Sequence, residues 1–313
     1  MNNQSVVFFL MGPTAIGKSS LALEIKARFP QIELLSVDSK SIYQGLDIGT
    51  DKPKKEDLCK NFYRLVNIVQ PQNVYSVIDF YNDATREIKN IIDSGKIPLL
   101  VGGTMLYFKT LINGFASLPP SNPLIRDYIF NDLFLGKKKK LFSMLKKIDK
   151  KSSKKIHKND IQRVLRAVEV FFVSGGKSLS QLTEESIHIK LPYKIFQFGL
   201  VPHNKDFLYK KIINRFNNML ELGFENEVRR LYQRTDLTLA CPSINSIGYR
   251  QMWHYIQKKC TYQEMINSTI QATRQLVKHQ LTWLNNWPDI LLVRDNQVNI
   301  LIQKIERILT NNI

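Results

Sequence analysis

The sequence predicts an α/β fold: a parallel sheet core of the phosphate-loop type with helices, interrupted by a basic, all-helical insertion. Three observations predict it. Over the first 118 residues, short apolar runs without helical period alternate with amphipathic stretches, as expected of strands buried on both faces of a parallel sheet. The first run passes directly into a glycine loop, "GPTAIGKS", that opens a helix. Strand character then vanishes from Leu124 to about Glu185 and returns at "KIFQFGLV", Lys194–Val201. The predicted domains are a core of residues 1–118 and 195–313 and an insertion of residues 119–194.

Taken in order, "SVVFFLM" is a buried strand of β-branched and aromatic residues. "KSSLALEIKARF" spaces Leu21, Ile25 and Phe29 for an amphipathic helix. "IELLSVDS" is a second strand ending at Asp38, and "FYRLVNIV" a further apolar run. "YSVIDFYNDATREIKNIIDSG" is a helix stopped at Gly95, and "KIPLLVGGT" a strand running into two glycines. "LPPSNP", Leu118–Pro123, breaks the pattern before the insertion. From Asn204 onward successive helices follow, with one late strand in "DILLVRD" and a final helix.

Composition narrows the function classes. No apolar run reaches the roughly 18 residues of a membrane helix, and the apolar start flows into the glycine loop without a signal-peptide cleavage site. Cys59, Cys241 and Cys260 show no metal spacing, and an odd, widely spaced set predicts reduced thiols in a cytoplasmic protein. One copy of the core and no coiled-coil heptads predict a monomer. Lys+Arg 45 against Asp+Glu 27 gives a net charge of +18. Residues 119–194 carry +10 of it, which points to a polyanionic partner gripped by the insertion. "KKKK" at Lys137–Lys140 taken alone reads equally as solvated helix surface.

The loop residues Gly12, Pro13, Thr14, Ala15, Ile16, Gly17, Lys18 and Ser19 satisfy GxxxxGK[ST] between a strand and a helix. Backbone N–H groups there converge on phosphate oxygens, aided by the helix N-terminus. Lys18 supplies a cation and Ser19 a ligand for Mg²⁺. The pattern does not say which molecule owns the phosphate. Asp38 stands at the carboxyl end of the second strand and Thr104 at the end of another, both facing the crevice of the loop. Asp38 could hold Mg²⁺, take a substrate proton or cap the next helix. Arg163 and Arg166 share a helix face, suited either to RNA phosphates or to pairing with Glu169. "PSINSIGYRQMW" combines Tyr249, Arg250 and Trp253, residues suited to stacking on unpaired bases, or, for the tryptophan, to a core. Arg274, Lys278 and His279 are further contact candidates. Nothing in the histidine spacing suggests a metal site.

"LMGPTAIGKSSLA", "SVDSKSIYQGLDIGTDKP", "YSVIDF", "LLVGGTMLYFKTLINGF", "HKNDIQRVLRAVEVFFVSG" and "CPSINSIGYRQMW" occur here in order. Together they closely resemble the bacterial tRNA dimethylallyltransferase family over nearly the whole chain, and "DxxxIYxGxDIGTxKP" is far more specific than the glycine loop. The resemblance implies transfer of a dimethylallyl group from dimethylallyl diphosphate to N6 of the adenine 3′-adjacent to a tRNA anticodon. The loop would then hold an isoprenoid diphosphate, with Mg²⁺ as cofactor.

The same resemblance implies Asp38 as general base, Thr104 near the reacting groups and Arg215 at the diphosphate. It implies tRNA contacts at Arg126; at Asp38, Ser39, Lys40 and Ser41; and at Gln162, Arg163, Val164, Leu165 and Arg166. Further contacts would fall on Asn245, Ser246, Ile247, Gly248, Tyr249 and Arg250, and on Lys278, His279, Gln280, Leu281, Thr282, Trp283, Leu284 and Asn285. The chain departs from the family at Tyr63-Arg64, where two histidines are usual, and at Asn204-Lys205, where Asp-Arg is usual. His279 and Asn285 replace arginines of the tail. A lysine for an arginine keeps the charge and loses the bidentate fork. Two other readings of the loop are a nucleotide or small-molecule kinase, which predicts ATP consumption without RNA, and an RNA-binding protein with a vestigial loop.

Overall fold

The computed structural model describes residues 5–53, 63–116, 118–135, 137–186 and 191–311. Cys59 lies outside them. The chain divides into two compact units, residues 1–111 with 191–313, and residues 112–190. The proline cluster at Leu118–Pro123 therefore lies inside the second unit rather than at its border.

The first unit is built on a five-stranded, wholly parallel sheet of order β2-β3-β1-β4-β5. Its strands are β1 (Val6–Met11), β2 (Ile32–Val37), β3 (Ile97–Gly102), β4 (Lys194–Val201) and β5 (Leu291–Arg294). β1 and β2 are buried at every residue, which is why they read as continuous apolar runs rather than alternating ones. Phe62 of the "FYRLVNIV" run lies outside the described residues, and the rest of the run forms no extended ladder with the sheet. It makes single bridges, Leu35 with Arg64 and Tyr43 with Val69.

Helix α1 (Lys18–Arg28) leaves the glycine loop and buries Leu21, Ala22 and Ile25 on the sheet. Helix α2 (Val77–Asp93) starts at a capping box, Ser76 with Asp79, and ends before Gly95, whose φ of +74° only glycine adopts readily. Helix α3 (Met105–Asn113) follows β3.

The second unit holds α4 (Pro123–Asp127), a π-helical turn (Tyr128–Leu133), α5 (Lys138–Ile148), α6 (Lys150–Lys155), α7 (Ile161–Val173) and α8 (Leu179–Glu185). Its core is Ile129, Leu141, Leu145, Val164, Ala167 and Val168. Lys137–Lys140 are exposed, with Leu141 next along the chain buried.

After β4, the first unit continues through α9 (Lys205–Glu221), α10 (Phe224–Tyr232), α11 (Tyr249–Ile256), α12 (Tyr262–Asn285) and, beyond β5, α13 (Val298–Asn311). Two cores result. One packs Phe8, Ile25, Leu34, Phe198, Val277 and Ile302 about the sheet, and the other joins Tyr43, Leu46, Phe224, Tyr249 and Trp253. Among the described residues no helix is long and apolar enough to cross a membrane.

Candidate active site

The carboxyl ends of β1, β2 and β3 open on one cleft of about 360 Å³. In an open parallel sheet this is the edge where ligands bind. From β1 comes the glycine loop, whose Ala15 (φ +63°) and Gly17 (φ +105°) are both left-handed, so that its amides turn toward a common concavity. Thr14, Ala15, Gly17, Lys18 and Ser19 line the cleft. Gly12 and Pro13 are buried, and Ile16 belongs to the sheet core; these three shape the loop from beneath.

Lys18 donates to the carbonyl of Pro13 at 2.7 Å. Burial pushes its ammonium down to about 8, with the charge of Asp38 opposing the shift and that of Arg215 adding to it. Arg215, on α9, donates from Nη1 to Thr14 Oγ1 at 2.7 Å and from Nε to Asp51 Oδ2 at 2.7 Å. Lys211, one turn earlier, also lines the cleft. Three cations thus line the cleft beside the glycine loop, a setting for a polyanionic group.

Asp38 follows β2 and enters the same cleft. Its Oδ1 accepts from the amides of Lys40 at 2.7 Å and Ser41 at 3.2 Å. These bonds close a turn rather than cap a helix, since no helix begins there among the described residues, while Oδ2 has no hydrogen-bond partner among the described residues. Thr104 follows Gly102, the last residue of β3, and Gly103, and its Oγ1 accepts from the amide of Ser39 at 3.2 Å. A Cβ on Gly102 would stand 2.0 Å from the carbonyl oxygen of Val37, so only glycine lets β2 and β3 close here.

A second loop, Asp47–Pro53, forms the far wall with Thr50, Asp51, Lys52 and Pro53. Glu227 of α10, buried to 3% exposure, fixes it. One carboxylate accepts from the amides of Asp47, Ile48 and Gly49 at 3.0, 2.8 and 3.2 Å, and from the hydroxyl of Tyr249 at 2.5 Å. A Cβ on Gly49 would meet Phe224 at 2.3 Å and Tyr249 at 2.6 Å. Lys52 closes the loop from inside through Tyr43, Asp47 and Asn67.

The family model for IPP transferase matches residues 41–287. The chain belongs to the IPP transferase family. It is 65% identical over 314 residues to the tRNA dimethylallyltransferase of Buchnera aphidicola subsp. Cinara cedri (strain Cc), covering 100% of both chains. The tRNA dimethylallyltransferase of Buchnera aphidicola subsp. Acyrthosiphon pisum (strain APS) is 49% identical over 98% of this chain and 96% of its own. Among solved structures, a tRNA isopentenylpyrophosphate transferase from Bacillus halodurans superposes with a TM-score of 0.70 at 30% identity, covering 99% of this chain and 96% of that one. A eukaryotic dimethylallyltransferase studied acting on tRNA gives 0.77 at 25% identity, over 93% and 74%.

Within this IPP transferase fold, the residues expected to contact tRNA divide sharply by exposure. Ser39, Ile247, Leu281 and Trp283 are half-buried, and Asn245, Arg250, Lys278, His279, Thr282 and Asn285 are exposed, as is Arg274, whose guanidinium lies over Tyr209. Tyr249 and Trp253 are not stacking platforms. Tyr249 is fully buried on Glu227 and edge-on to Phe224, and Trp253 packs edge-on to Tyr232. Lys40 spends its ammonium on the carbonyl of Pro242 at 2.9 Å, Ser41 bonds Ser36, and Ser246 is buried. Gly248, at φ +88°, lets the chain turn into α11. Gln280 and Leu284 point into the fold, the amide bonding Thr14 and Gly103.

In the helical unit, Gln162 and Arg163 are exposed, Val164 is core and Leu165 packs against it. Arg166 and Arg126 do not stand free. Both bind the fully buried Glu169, at 2.8 and 2.9 Å, and Arg166 also donates to the carbonyl of Pro119. Ser121 and the amide of Asn122 complete the carboxylate's shell.

The family departures find structural roles. Arg64 forks onto Glu33 and reaches Glu87, and Tyr63 lines the cleft, its phenol held above the ordinary range by burial and by Asp38. Asn204 caps α9 through the amides of Asp206 and Phe207, and Lys205 is exposed. Sequence reasoning missed Lys211, Asp51 and Glu227. For Glu227 the only signal was a glutamate in the interior-facing register of an amphipathic helix.

Proposed function

We propose that this enzyme transfers a dimethylallyl group from dimethylallyl diphosphate to N6 of the adenine 3′-adjacent to the anticodon in tRNA, releasing diphosphate. The observation that carries the reading is one cleft lined by Asp38, whose Oδ2 has no hydrogen-bond partner among the described residues, and by the glycine loop with Lys18, Lys211 and Arg215. The names of the full-length relatives support the same activity, and they do not favour the kinase alternative.

The chemistry follows from those groups. The N6 lone pair attacks C1 of the dimethylallyl group while the C1–O bond breaks, its electrons leaving on the diphosphate. An aromatic amine is a weak nucleophile, so Asp38 takes the N6 proton as the C–N bond forms. Charge accumulates on the departing diphosphate, and the loop amides, Lys18 and Arg215 are already aimed at it. Thr104 anchors the Asp38 arm through Ser39. Ser19, exposed at the first turn of α1 and lining the cleft beside Asp38, offers the hard oxygen that Mg²⁺ prefers. Bound there, Mg²⁺ supplies further neutralisation of the leaving diphosphate.

The partner tRNA matches the chain's charge of +18 and the exposed lysines of the helical unit. The target base leaves its stack to reach the cleft. The protein works as a cytoplasmic monomer. The test is incubation with labelled dimethylallyl diphosphate, Mg²⁺ and unmodified tRNA with adenines in its anticodon loop. Label in an N6-substituted adenosine, lost in Asp38→Ala, is the expected outcome; ATP turnover on small acceptors with no labelled tRNA would refute the reading.

A further inference from the structure

Gln280 lies on α12 between exposed neighbours, Lys278 and His279 on one side and Thr282 on the other, yet it is only 7% exposed. Val277 and Leu281 anchor this turn of the helix on the sheet core. The amide spans two elements of the site. Its Oε1 accepts from the backbone N–H of Thr14 in the glycine loop at 2.9 Å, and its Nε2 donates to the carbonyl of Gly103 at 2.9 Å. An N–H needs an acceptor and a carbonyl a donor, so only one orientation of the amide satisfies both.

The two ends of this strut lead to the two halves of the chemistry. Thr14 also receives Arg215 through its hydroxyl. Gly103 precedes Thr104, whose Oγ1 takes the amide of Ser39, and Ser39 follows Asp38. One hydrogen-bonded path therefore joins the diphosphate cradle to the carboxylate. Gly103 itself makes room for it: a Cβ there would stand 2.5 Å from Gln280 Nε2.

We propose that Gln280 is a positioning residue that sets the spacing between the phosphate loop and the Thr104–Asp38 arm, and that it does not contact tRNA. The inference rests on the transferase reading for its effect on rate, and on geometry alone for its effect on diphosphate binding. A methionine of similar shape leaves the Thr14 amide and Gly103 carbonyl unpaired. A glutamate keeps an acceptor for Thr14 and sets a second acceptor against Gly103. Neither changes the exposed face of α12.

The experiment compares wild type with Gln280→Met and Gln280→Glu for kcat, affinity for inorganic diphosphate with Mg²⁺, and affinity for unmodified tRNA. The expected result is a kcat lower by about 10–100-fold, the cost of misplacing reacting groups by about an ångström, with weakened diphosphate binding and unchanged tRNA affinity. Weakened tRNA affinity with intact kcat and diphosphate binding would overturn the proposal, as would no change in any of the three. Should the variants fail to fold, hydrogen exchange of the Thr14 amide in ligand-free wild type decides. Slow exchange is expected, and fast exchange refutes the strut. Wild type that makes no prenylated tRNA would sink the transferase reading, while the diphosphate affinities would still test Gln280.

Discussion

The buried ammonium of Lys18 makes diphosphate affinity depend on pH in a range where ordinary lysines are inert. Burial brings it to about 8 from 10.5. Raising the pH through 8 removes a cation from an anion site, so affinity falls. If only the protonated form binds, affinity is about tenfold weaker at pH 9 than at pH 7. The stability of the ligand-free fold moves oppositely. Between pH 8 and 10.5 the unfolded lysine still binds its proton and the folded one does not, so stability rises with pH over that window. The assay is calorimetric titration of dimethylallyl diphosphate at pH 7, 8 and 9, for wild type and Lys18→Arg. An arginine keeps its charge throughout, so the difference between the two profiles cancels the titration of the ligand itself. Parallel profiles, or a wild-type midpoint near 10, would refute the reasoning.

Three other outcomes are expected. Asp38→Asn keeps an acceptor for the amides of Lys40 and Ser41 but cannot take the N6 proton; single-turnover transfer should fall by about 10²–10⁴-fold with diphosphate affinity retained. Glu169→Ala leaves Arg126 and Arg166 facing a buried gap, a cost of about 3–5 kcal/mol readable by chemical denaturation of the full chain. The Glu169 carboxyl is held below its usual range, through Arg166, the Asn122 amide and Arg126 outweighing burial. Its contribution is thus present above the unfolded carboxyl range and lost as pH falls through the folded value, so the wild type should lose stability in acid and the variant lose less. Gly49→Ala drives a methyl into Phe224 and Tyr249 and should cost about 1–3 kcal/mol, with a rise in KM for dimethylallyl diphosphate because the same loop carries Asp51.

β1, β2 and β3 were legible because nearly every residue in them is buried, so they read as unbroken apolar runs. "KIFQFGLV" matches β4 residue for residue, and "GPTAIGKS" sits between a strand and a helix as its spacing requires. The "FYRLVNIV" run stayed unassigned because apolar content alone does not distinguish a sheet strand from a segment that bridges at single residues. The cleft residues Asp38 and Lys18 were visible from motif and strand end together. Exposure was not. Tyr249, Lys40, Gln280 and Arg166 all carry side chains that suit nucleic acid, and each is claimed by a partner far away in sequence: Glu227, Pro242, Gly103 and Pro119. A single sequence holds no record of those partners.

The C-terminal helices, seen this way, do more than cover the sheet. The loops that line the cleft have few means of fixing themselves: the glycine loop has two left-handed positions within three residues, Ala15 and Gly17, and Asp47–Pro53 has no regular structure. Each is held from outside by a buried polar side chain on a later helix, Thr14 by Gln280 of α12 and Asp47–Gly49 by Glu227 of α10. α9 adds Arg215, which ties both loops at once through Thr14 and Asp51. Such bonds cost the desolvation of amide and carboxylate and are worth making only where alternative loop positions must be excluded. A site that aligns a weak nucleophile with a leaving diphosphate has that need, since reacting atoms displaced by an ångström forfeit most of the advantage of being bound together.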